Sequence, residues 1–366
     1  YPCTRFYLPE YAEIVRTVKS AVQARVILGG AGFTIFPEEI LNALGDDAGI
    51  AGEGEEGALS LCADNEYGVL AATPGDGSFP EDIEELFPSF RKYRTIGIQT
   101  SRGCPNRCIY CTYPILEGRK LRPRKPEQVA QEMEILSRKY GKRDFFIVDS
   151  LFNASEVHLL QVLEEILRLG LDIQFSCYLQ PRISDTSIIG LLKRAGCVAI
   201  DFGTDSGSMK MLLSMNKGFI QEDIRKASAA CTGEGIDFSH SLIFGGPGET
   251  RETIRETVKL MDEVSPRAVV AMTGVRIYPG TEMEMIARRE GYISEGESLL
   301  SPHFYFSGLG TDGLIREVRS AVGSRRNWFF PGELDRSASV CHRLLYFLYR
   351  KGPLWRTIQK IGWARP

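Results

Sequence analysis

The stretch Cys104-Pro-Asn-Arg-Cys108-Ile-Tyr-Cys111 places three thiols within eight consecutive residues. The intervening proline and asparagine favour a tight loop over a regular helix or strand. Such a loop can turn three sulfur atoms toward one point, and thiolates suit iron–sulfur clusters, zinc or copper(I). A zinc site normally closes with four ligands, and no fourth Cys or His lies near this run. The ligand count therefore favours a cluster with one open iron.

A regular alternation of strands and helices surrounds this loop. Apolar runs predict strands at 93–100, 144–148, 172–176, 198–202, 238–244 and 268–272. Helical periodicity predicts helices at 126–140, 155–169, 184–195, 221–233 and 251–264, with Ser155, Ser184 and Thr250 placed to begin three of them. This order indicates an α/β fold with parallel strands and right-handed crossovers. Six strands are too few for a closed eight-stranded barrel.

The spacing Cys-x3-Cys-x2-Cys, with Tyr110 before the last cysteine, resembles the radical S-adenosylmethionine (radical SAM) superfamily. The resemblance implies a six-stranded partial (β/α) barrel in which Cys104, Cys108 and Cys111 bind three irons of a 4Fe-4S cluster. SAM would chelate the fourth iron and be cleaved to a 5'-deoxyadenosyl radical. It also implies an electron donor such as flavodoxin or ferredoxin.

In parallel α/β folds the chemistry sits at the carboxyl ends of the strands, so those ends predict the SAM contacts. By resemblance, the candidates in chain order are Asp149, Ser150, Gln180, Arg182, Asp205, Ser206, Gly245, Gly246, Arg276 and Tyr278. Asp149 would accept from the SAM ammonium group, and Arg182 could bind the carboxylate in bidentate fashion. Each candidate also has a structural interpretation, as a helix cap or a plain turn.

The N-terminal residues predict a smaller α/β unit. A strand within 24–28 ends at Gly29 and Gly30, and glycines at a strand end let a backbone approach a ligand closely. Together with Gly52-Glu53-Gly54, this order resembles the second half of the Rossmann-like cobalamin-binding domain of one radical SAM subclass, with its first half lying outside this chain. The resemblance implies that cobalamin contacts Gly29 and Gly30, and that methyl transfer is the commonest outcome.

Composition limits the remaining classes. The chain has 366 residues, 43% hydrophobic and 25% charged, with a net charge of -3, which is typical of an ordinary globular protein and not of a nucleic-acid binder. No membrane span or signal peptide is evident, so we expect a cytoplasmic location. The six cysteines outside the loop are expected to be core thiols. We predict domains at 1–85 (the smaller α/β unit plus a linker), 86–290 (the partial barrel) and 291–366 (a helical appendage). The Gly, Pro and Asp content of the window from about 64 to 91 is typical of a linker.

Three functions stay open from the sequence. The first is a radical SAM enzyme, with cobalamin-dependent methyl transfer or related radical chemistry on a small-molecule or lipid-like substrate. The second is a methylthiotransferase or tRNA-modifying enzyme, suggested by the strand ends at Asp205 and Gly245. The third is a non-catalytic metal-binding scaffold that holds zinc or a cluster.

Overall fold

The computed structural model of the chain describes residues 4–23, 25–45, 48–54, 57–58, 68–72, 83–330, 352–353 and 355–356. The fold is α/β, and it divides into two compact units that interleave along the chain. The N-terminal unit consists of Tyr1–Gly77, Gly103–Lys120 and Arg276–Tyr305, and the sheet unit consists of Ser78–Arg102, Leu121–Val275 and Phe306–Pro366. The domain boundaries expected from the sequence, near 86 and 290, stay a prediction.

The strands, in chain order, are β1 (Ile27–Leu28), β2 (Ala48–Gly52), β3 (Gly68–Ala72), β4 (Thr95–Ile98), β5 (Ser101–Arg102), β6 (Arg122–Pro123), β7 (Asp144–Ile147), β8 (Gln174–Leu179), β9 (Cys197–Asp205), β10 (Asp237–Phe244), β11 (Ala268–Thr273), β12 (Val275–Arg276), β13 (Phe304–Tyr305) and β14 (Trp328–Phe329).

The α-helices are α1 (Thr4–Ala21), α2 (Ala31–Ile35), α3 (Pro37–Leu44), α4 (Ile83–Leu86), α5 (Tyr113–Leu116), α6 (Pro126–Arg138), α7 (Glu156–Arg168), α8 (Ser187–Arg194), α9 (Met209–Ser214), α10 (Gln221–Glu234), α11 (Arg251–Val264), α12 (Glu282–Arg289) and α13 (Gly310–Val322). Short 3-10 helices lie at Phe90–Lys92 and Phe152–Ala154.

The main sheet has the strand order β14-β11-β10-β9-β8-β7-β4, and every neighbouring pair is parallel. Its first six strands in the chain are the six that the sequence predicts. The seventh, β14, corrects the six-strand prediction: Trp328 and Phe329 pair with Val269 and Val270 of β11. Two residues are too short a strand to show an alternating pattern, so this segment carries no strand signal of its own.

The small sheet of the N-terminal unit has the parallel order β1-β2-β3. Its core contains Ala48 and Ile50, with Ile27 and Leu70 packed against them. Strand β3 corrects the prediction that 64–91 is a linker. The Gly, Pro and Asp content of that window conceals the short apolar run at Val69 and Leu70.

Helices α6, α7, α8, α11 and α13 each bury an apolar face against the main sheet. Buried residues of α6, α7 and α8 share one large core with β7, β8 and β9, and those of α11 and α13 share a second core with β10 and β11. The Oγ of Ser155 accepts from the His158 amide and caps α7, as predicted. Ser184 was predicted to cap α8, but that helix begins at Ser187.

The reason for the shift at Ser184 is a competing bond, because its hydroxyl, which would have capped the helix, donates to the Glu156 carboxylate, as does its amide. Three of the predicted core thiols, Cys177, Cys197 and Cys231, are buried and form no disulfide. Among the described residues, no helix is long and apolar enough to cross a membrane. The aromatic, basic run at 344–351, part of the predicted helical appendage, lies outside the described residues.

Candidate functional site

The cysteine loop lies in the N-terminal unit and is closed by backbone contacts. Gly103 has a φ of 89°, and a Cβ at that position would lie 2.3 Å from the carbonyl oxygen of Lys120. The amide of Cys104 donates to the oxygen of Gly118 at 3.1 Å. Only glycine tolerates both this left-handed backbone and this approach, so Gly103 allows the two arms of the loop to meet before the first cysteine.

Two further contacts hold the middle of the loop. Arg119 donates to the carbonyl oxygen of Asn106 at 3.2 Å. The amide of Met283, in the first turn of α12, donates to the oxygen of Ile109 at 2.8 Å. Since the first amides of a helix have no partner within the helix, this bond satisfies one of them and ties the loop to α12.

The three predicted metal ligands are thiols with different exposure: Cys104 is buried, whereas Cys108 and Cys111 are half-buried. Three thiols on one short loop fit an iron–sulfur cluster by their chemistry. Among the residues that the structure describes, no three Cys, His, Asp or Glu side chains are already grouped as a metal-binding set.

Four of the predicted SAM positions lie at the carboxyl ends of neighbouring strands in the sheet unit. The sheet order β10-β9-β8-β7 brings the ends that carry Gly245, Asp205, Gln180 and Asp149 side by side. Arg276 and Tyr278 belong to the N-terminal unit. The three cysteines of the loop, Gly29 and Gly30 belong to the same unit.

Asp149 is buried, and both of its carboxylate oxygens accept hydrogen bonds from the end of β4. Oδ1 accepts from the Thr100 amide at 2.6 Å, while Oδ2 accepts from Thr100 Oγ1 at 2.6 Å and from Ser101 Oγ at 2.7 Å. Burial raises the pKa of Asp149, and these bonds oppose the shift. The neighbouring Ser150 is half-buried. The predicted contact of Asp149 with the SAM ammonium group stays a prediction.

The end of β8 is organised by Asn153, a residue that no local sequence pattern indicates. Its side-chain oxygen accepts from the Gln180 amide at 2.9 Å, and its amide nitrogen donates to the Gln180 oxygen at 3.0 Å. Gln180 itself is buried, whereas Arg182 is exposed and donates to the Gly218 oxygen. Arg182 is thus accessible to an anionic group.

The end of β9 contains a buried ion pair between Asp205 and Lys217, whose side chains are only 5% and 7% exposed. Asp205 has a φ of 62°, a left-handed conformation that is uncommon outside glycine. The Ser206 hydroxyl contacts Thr257 Oγ1 at 3.0 Å and accepts from the Ser208 amide. The sequence offered no local signal for Lys217 as the partner of Asp205.

The glycine loop after β10 is closed by Glu249. This buried carboxylate accepts from the Gly245 amide at 3.1 Å and from Thr253 Oγ1 at 2.5 Å, and burial raises its pKa. Gly245 has a φ of 98°, and an added Cβ would lie 2.6 Å from Leu314. At Gly246 an added Cβ would lie 3.1 Å from the Met211 side chain, so both glycines permit close packing.

Arg276 binds the loop at 299–303 within the N-terminal unit. Its guanidinium donates to the carbonyl oxygens of Leu299, Ser301 and His303 at 3.1–3.2 Å, and it lies 5.0 Å from the ring of Tyr278. These contacts give Arg276 a structural role in holding that loop. A contact of Arg276 or Tyr278 with SAM stays a prediction.

The carboxyl edge of the small sheet is rich in glycine. Gly30 has a φ of 88° and precedes α2, and an added Cβ there would meet nothing within 4 Å. Thr34 Oγ1 joins two strand ends, since it donates to the Gly30 oxygen at 3.0 Å and accepts from the Gly52 amide at 2.9 Å. Helix α2 also packs against α5, the helix that follows the cysteines. Gly29 and Gly30 therefore form an open edge of the unit that contains the cysteine loop.

A family model described as the radical SAM superfamily matches residues 98–261. An uncharacterized methyltransferase of Pyrococcus horikoshii is 26% identical over 286 residues, which cover 70% of this chain and 62% of the relative. Tryptophan 2-C-methyltransferase of Streptomyces laurentii is 31% identical over 208 residues, 52% of this chain and 35% of the relative. The chain thus spans only 35% to 62% of the length of these two curated relatives.

Among solved structures, the radical SAM methyltransferase TsrM of Kitasatospora setae, with cobalamin and a 4Fe-4S cluster bound, superimposes with a TM-score of 0.79 and 23% identity. The match covers 97% of this chain and 83% of TsrM. Residues 98–261, which include the cysteine loop, thus form a radical SAM domain. The small and main parallel sheets of the chain together share the fold of TsrM.

Proposed function

We propose that the protein containing this chain is a radical SAM enzyme that carries out cobalamin-dependent methyl transfer. The observation that carries the proposal is the contact between α2 and α5, because it joins the open glycine edge to the cysteine loop within one compact unit. Once bound, the cluster and SAM would supply a 5'-deoxyadenosyl radical and cobalamin a methyl group.

Cys104, Cys108 and Cys111 would hold the cluster. The loop contacts support this role, since Gly103, Gly118 and Met283 fix the backbone around the thiols. A backbone that is already ordered lowers the entropy lost when ligands converge on a metal.

The strand ends of the sheet unit would hold SAM. Arg182 is exposed and suits the carboxylate of SAM, because a guanidinium binds carboxylates in bidentate fashion. Ser150 and Gln180 would supply neutral hydrogen bonds. Asp205, whose charge is balanced by Lys217, would contact SAM through its backbone or Ser206, and Gly245 and Gly246 would allow close approach of the ligand.

Gly29 and Gly30 would hold cobalamin at the carboxyl edge of β1. A side chain at Gly30 would occupy the open space beside that edge, and its φ of 88° is strained for other residues. In this proposal the small sheet is part of a Rossmann-like domain, and the main sheet forms an open partial barrel.

The substrate would be a small or lipid-like molecule, and the electron donor a flavodoxin or ferredoxin. The near-neutral net charge of -3 gives no basis for nucleic-acid binding. The reducing conditions that free thiols and a cluster need favour the cytoplasm.

Metal analysis and SAM cleavage test the radical chemistry. After anaerobic reconstitution we expect about four irons per chain, and with dithionite we expect 5'-deoxyadenosine from SAM. Cys104→Ala should abolish both, while Cys231→Ala, which removes a buried thiol outside the loop, should leave iron content unchanged. Stoichiometric zinc in place of iron would support the scaffold alternative and reject the enzyme.

Cobalamin binding is tested separately by titrating the full-length protein and recording its absorbance spectrum. We expect a saturable spectral change that Gly30→Val weakens. A protein that cleaves SAM but shows no cobalamin binding would belong to a branch without cobalamin, and the methyl-transfer proposal would then be rejected.

A further inference from the structure

Asp149 lies just after the strand that neighbours the root of the cysteine loop. It follows β7, whose register with β4 continues through the bond from the Val148 amide to the Ile98 oxygen at 2.9 Å. Its side chain is 1% exposed, and Thr100 and Ser101, which donate to it, are 0% and 5% exposed. The three donors lie on the two residues that lead toward Gly103 and Cys104.

Every polar atom of Thr100 is hydrogen-bonded. Its amide and hydroxyl donate to Asp149, and its carbonyl oxygen accepts from the Arg124 amide at 2.9 Å and contacts His158 Nε2 at 3.1 Å. Because Thr100 is fully buried, loss of the Asp149 carboxylate would leave its amide and its hydroxyl without an acceptor.

The residues that follow the cysteine loop are bonded to the residues that precede it. Strand β6 pairs with β5 through Ser101 with Pro123 and Arg102 with Arg122. Arg124 then donates to the Gln99 oxygen at 2.7 Å and forms an ion pair with Glu132 at 2.6 Å. Both arms of the loop are thus joined at their base, and the Asp149 carboxylate anchors the entering arm.

We propose that Asp149 is a positioning residue that anchors the root of the cysteine loop through Thr100 and Ser101, and that it is not a ligand of the SAM ammonium group. The proposal rests on the proposed function for the presence of a cluster. The hydrogen bonds from Thr100 and Ser101 to Asp149 are present in the chain without it. Cys104 is the third residue after Ser101. Greater backbone mobility at Ser101 would therefore also change the position of the first thiol.

The test compares Asp149→Asn with Asp144→Asn. Asp144 lies at the opposite end of the same strand pair and accepts from Thr95 Oγ1 at 2.7 Å, so it is a matched carboxylate away from the loop. Asn at 149 replaces an acceptor oxygen by a donor group that faces hydroxyl and amide donors. Ser101→Ala removes one of the three bonds and supplies a milder variant if Asp149→Asn folds poorly.

We expect Asp149→Asn, and Ser101→Ala to a lesser degree, to lower iron content after reconstitution by about twofold or more and to broaden the electron paramagnetic resonance signal of the reduced cluster without SAM. Asp144→Asn should match wild type in both. A SAM-ligand role predicts the opposite pattern: unchanged iron and signal without SAM, with SAM affinity lowered about tenfold or more. That pattern would overturn the proposal.

Hydrogen exchange separates this proposal from the proposed function. In protein without a cluster, Asp149→Asn should speed exchange of the Thr100 amide by about tenfold or more, and Asp144→Asn should leave it unchanged. If wild-type protein takes up no iron, the cluster function fails while this measurement still tests the anchor. Unchanged exchange at Thr100 in Asp149→Asn would reject the anchoring role.

Discussion

The Nε1 of Trp355 donates a hydrogen bond to Oδ1 of Asp201 at 2.6 Å, across 154 residues of sequence. Asp201 also accepts from the Ser239 hydroxyl, and Arg356 forms an ion pair with Asp237. Trp355 is 8% exposed and packs with Ala199 and Ala268 of β9 and β11, where small side chains leave room for the indole. These contacts tie Trp355 and Arg356 to the main sheet.

Trp355→Phe keeps most of the buried apolar area but removes a donor from a buried carboxylate. We expect a loss of about 1–3 kcal/mol in the free energy of unfolding at neutral pH, measured by urea denaturation. Asp201→Asn supplies the second arm of a double-mutant cycle. A coupling energy near zero between the two positions would contradict the assigned bond.

Asp201 should also make stability depend on pH. Burial raises its pKa from 3.8 to about 6, so the folded protein holds a proton over a range in which the unfolded chain has lost it. This group's stabilising contribution is therefore complete below about pH 4 and is lost as pH rises through about 6, by about 3 kcal/mol in total.

Unfolding measured across this range should show wild type losing stability relative to Asp201→Asn as pH rises. Because Asn does not titrate, the variant lacks this slope. A difference between the two proteins that stays constant from about pH 4 to 7 would show that Asp201 has an ordinary pKa.

Lys217→Met leaves Asp205 as a buried carboxylate without its cation. We expect a loss of about 3–5 kcal/mol in the free energy of unfolding, because both side chains are almost fully buried. Arg225→Met is the matched control: it breaks an ion pair with Glu263 whose side chains are 37% and 47% exposed, and it should cost much less stability than Lys217→Met. Equal losses of unfolding free energy in the two variants would show that burial does not strengthen the contribution of the Asp205–Lys217 ion pair.

Gly103→Ala should prevent the cysteine loop from closing. Its Cβ would lie 2.3 Å from the Lys120 carbonyl oxygen, whereas Gly118, with a similar φ of 82°, has nothing within 4 Å of an added Cβ. We expect Gly103→Ala to lose most of its iron after reconstitution and Gly118→Ala to suffer only the backbone strain of about 1–2 kcal/mol. Similar iron content in both variants would mean that close approach at Gly103 is unimportant.

Local patterns were sufficient for much of the fold. The apolar runs predicted six parallel strands, and the spacing of Cys104, Cys108 and Cys111 predicted the superfamily. Ser155 and Thr250 cap α7 and α11 as expected, because capping depends on residues three apart in the chain. Each of these features is carried by neighbouring residues.

Other features had no local signal. The strand at Trp328 and Phe329 exists because β11 offers a free edge, and Ser184 leaves its predicted helix because Glu156 lies nearby in space. Lys217 as the partner of Asp205 could be predicted only from the folded arrangement of the loops after β9.

The sequence by itself determined the three-cysteine loop and the alternation of strands with helices, because spacing and periodicity are properties of short segments. Only the tertiary structure decided what the buried carboxylates do. Asp149 bonds to Thr100, 49 residues away, and Asp201 to Trp355, 154 residues away. A buried carboxylate must find donors wherever folding brings them, so its partners follow from the packing of the whole sheet unit.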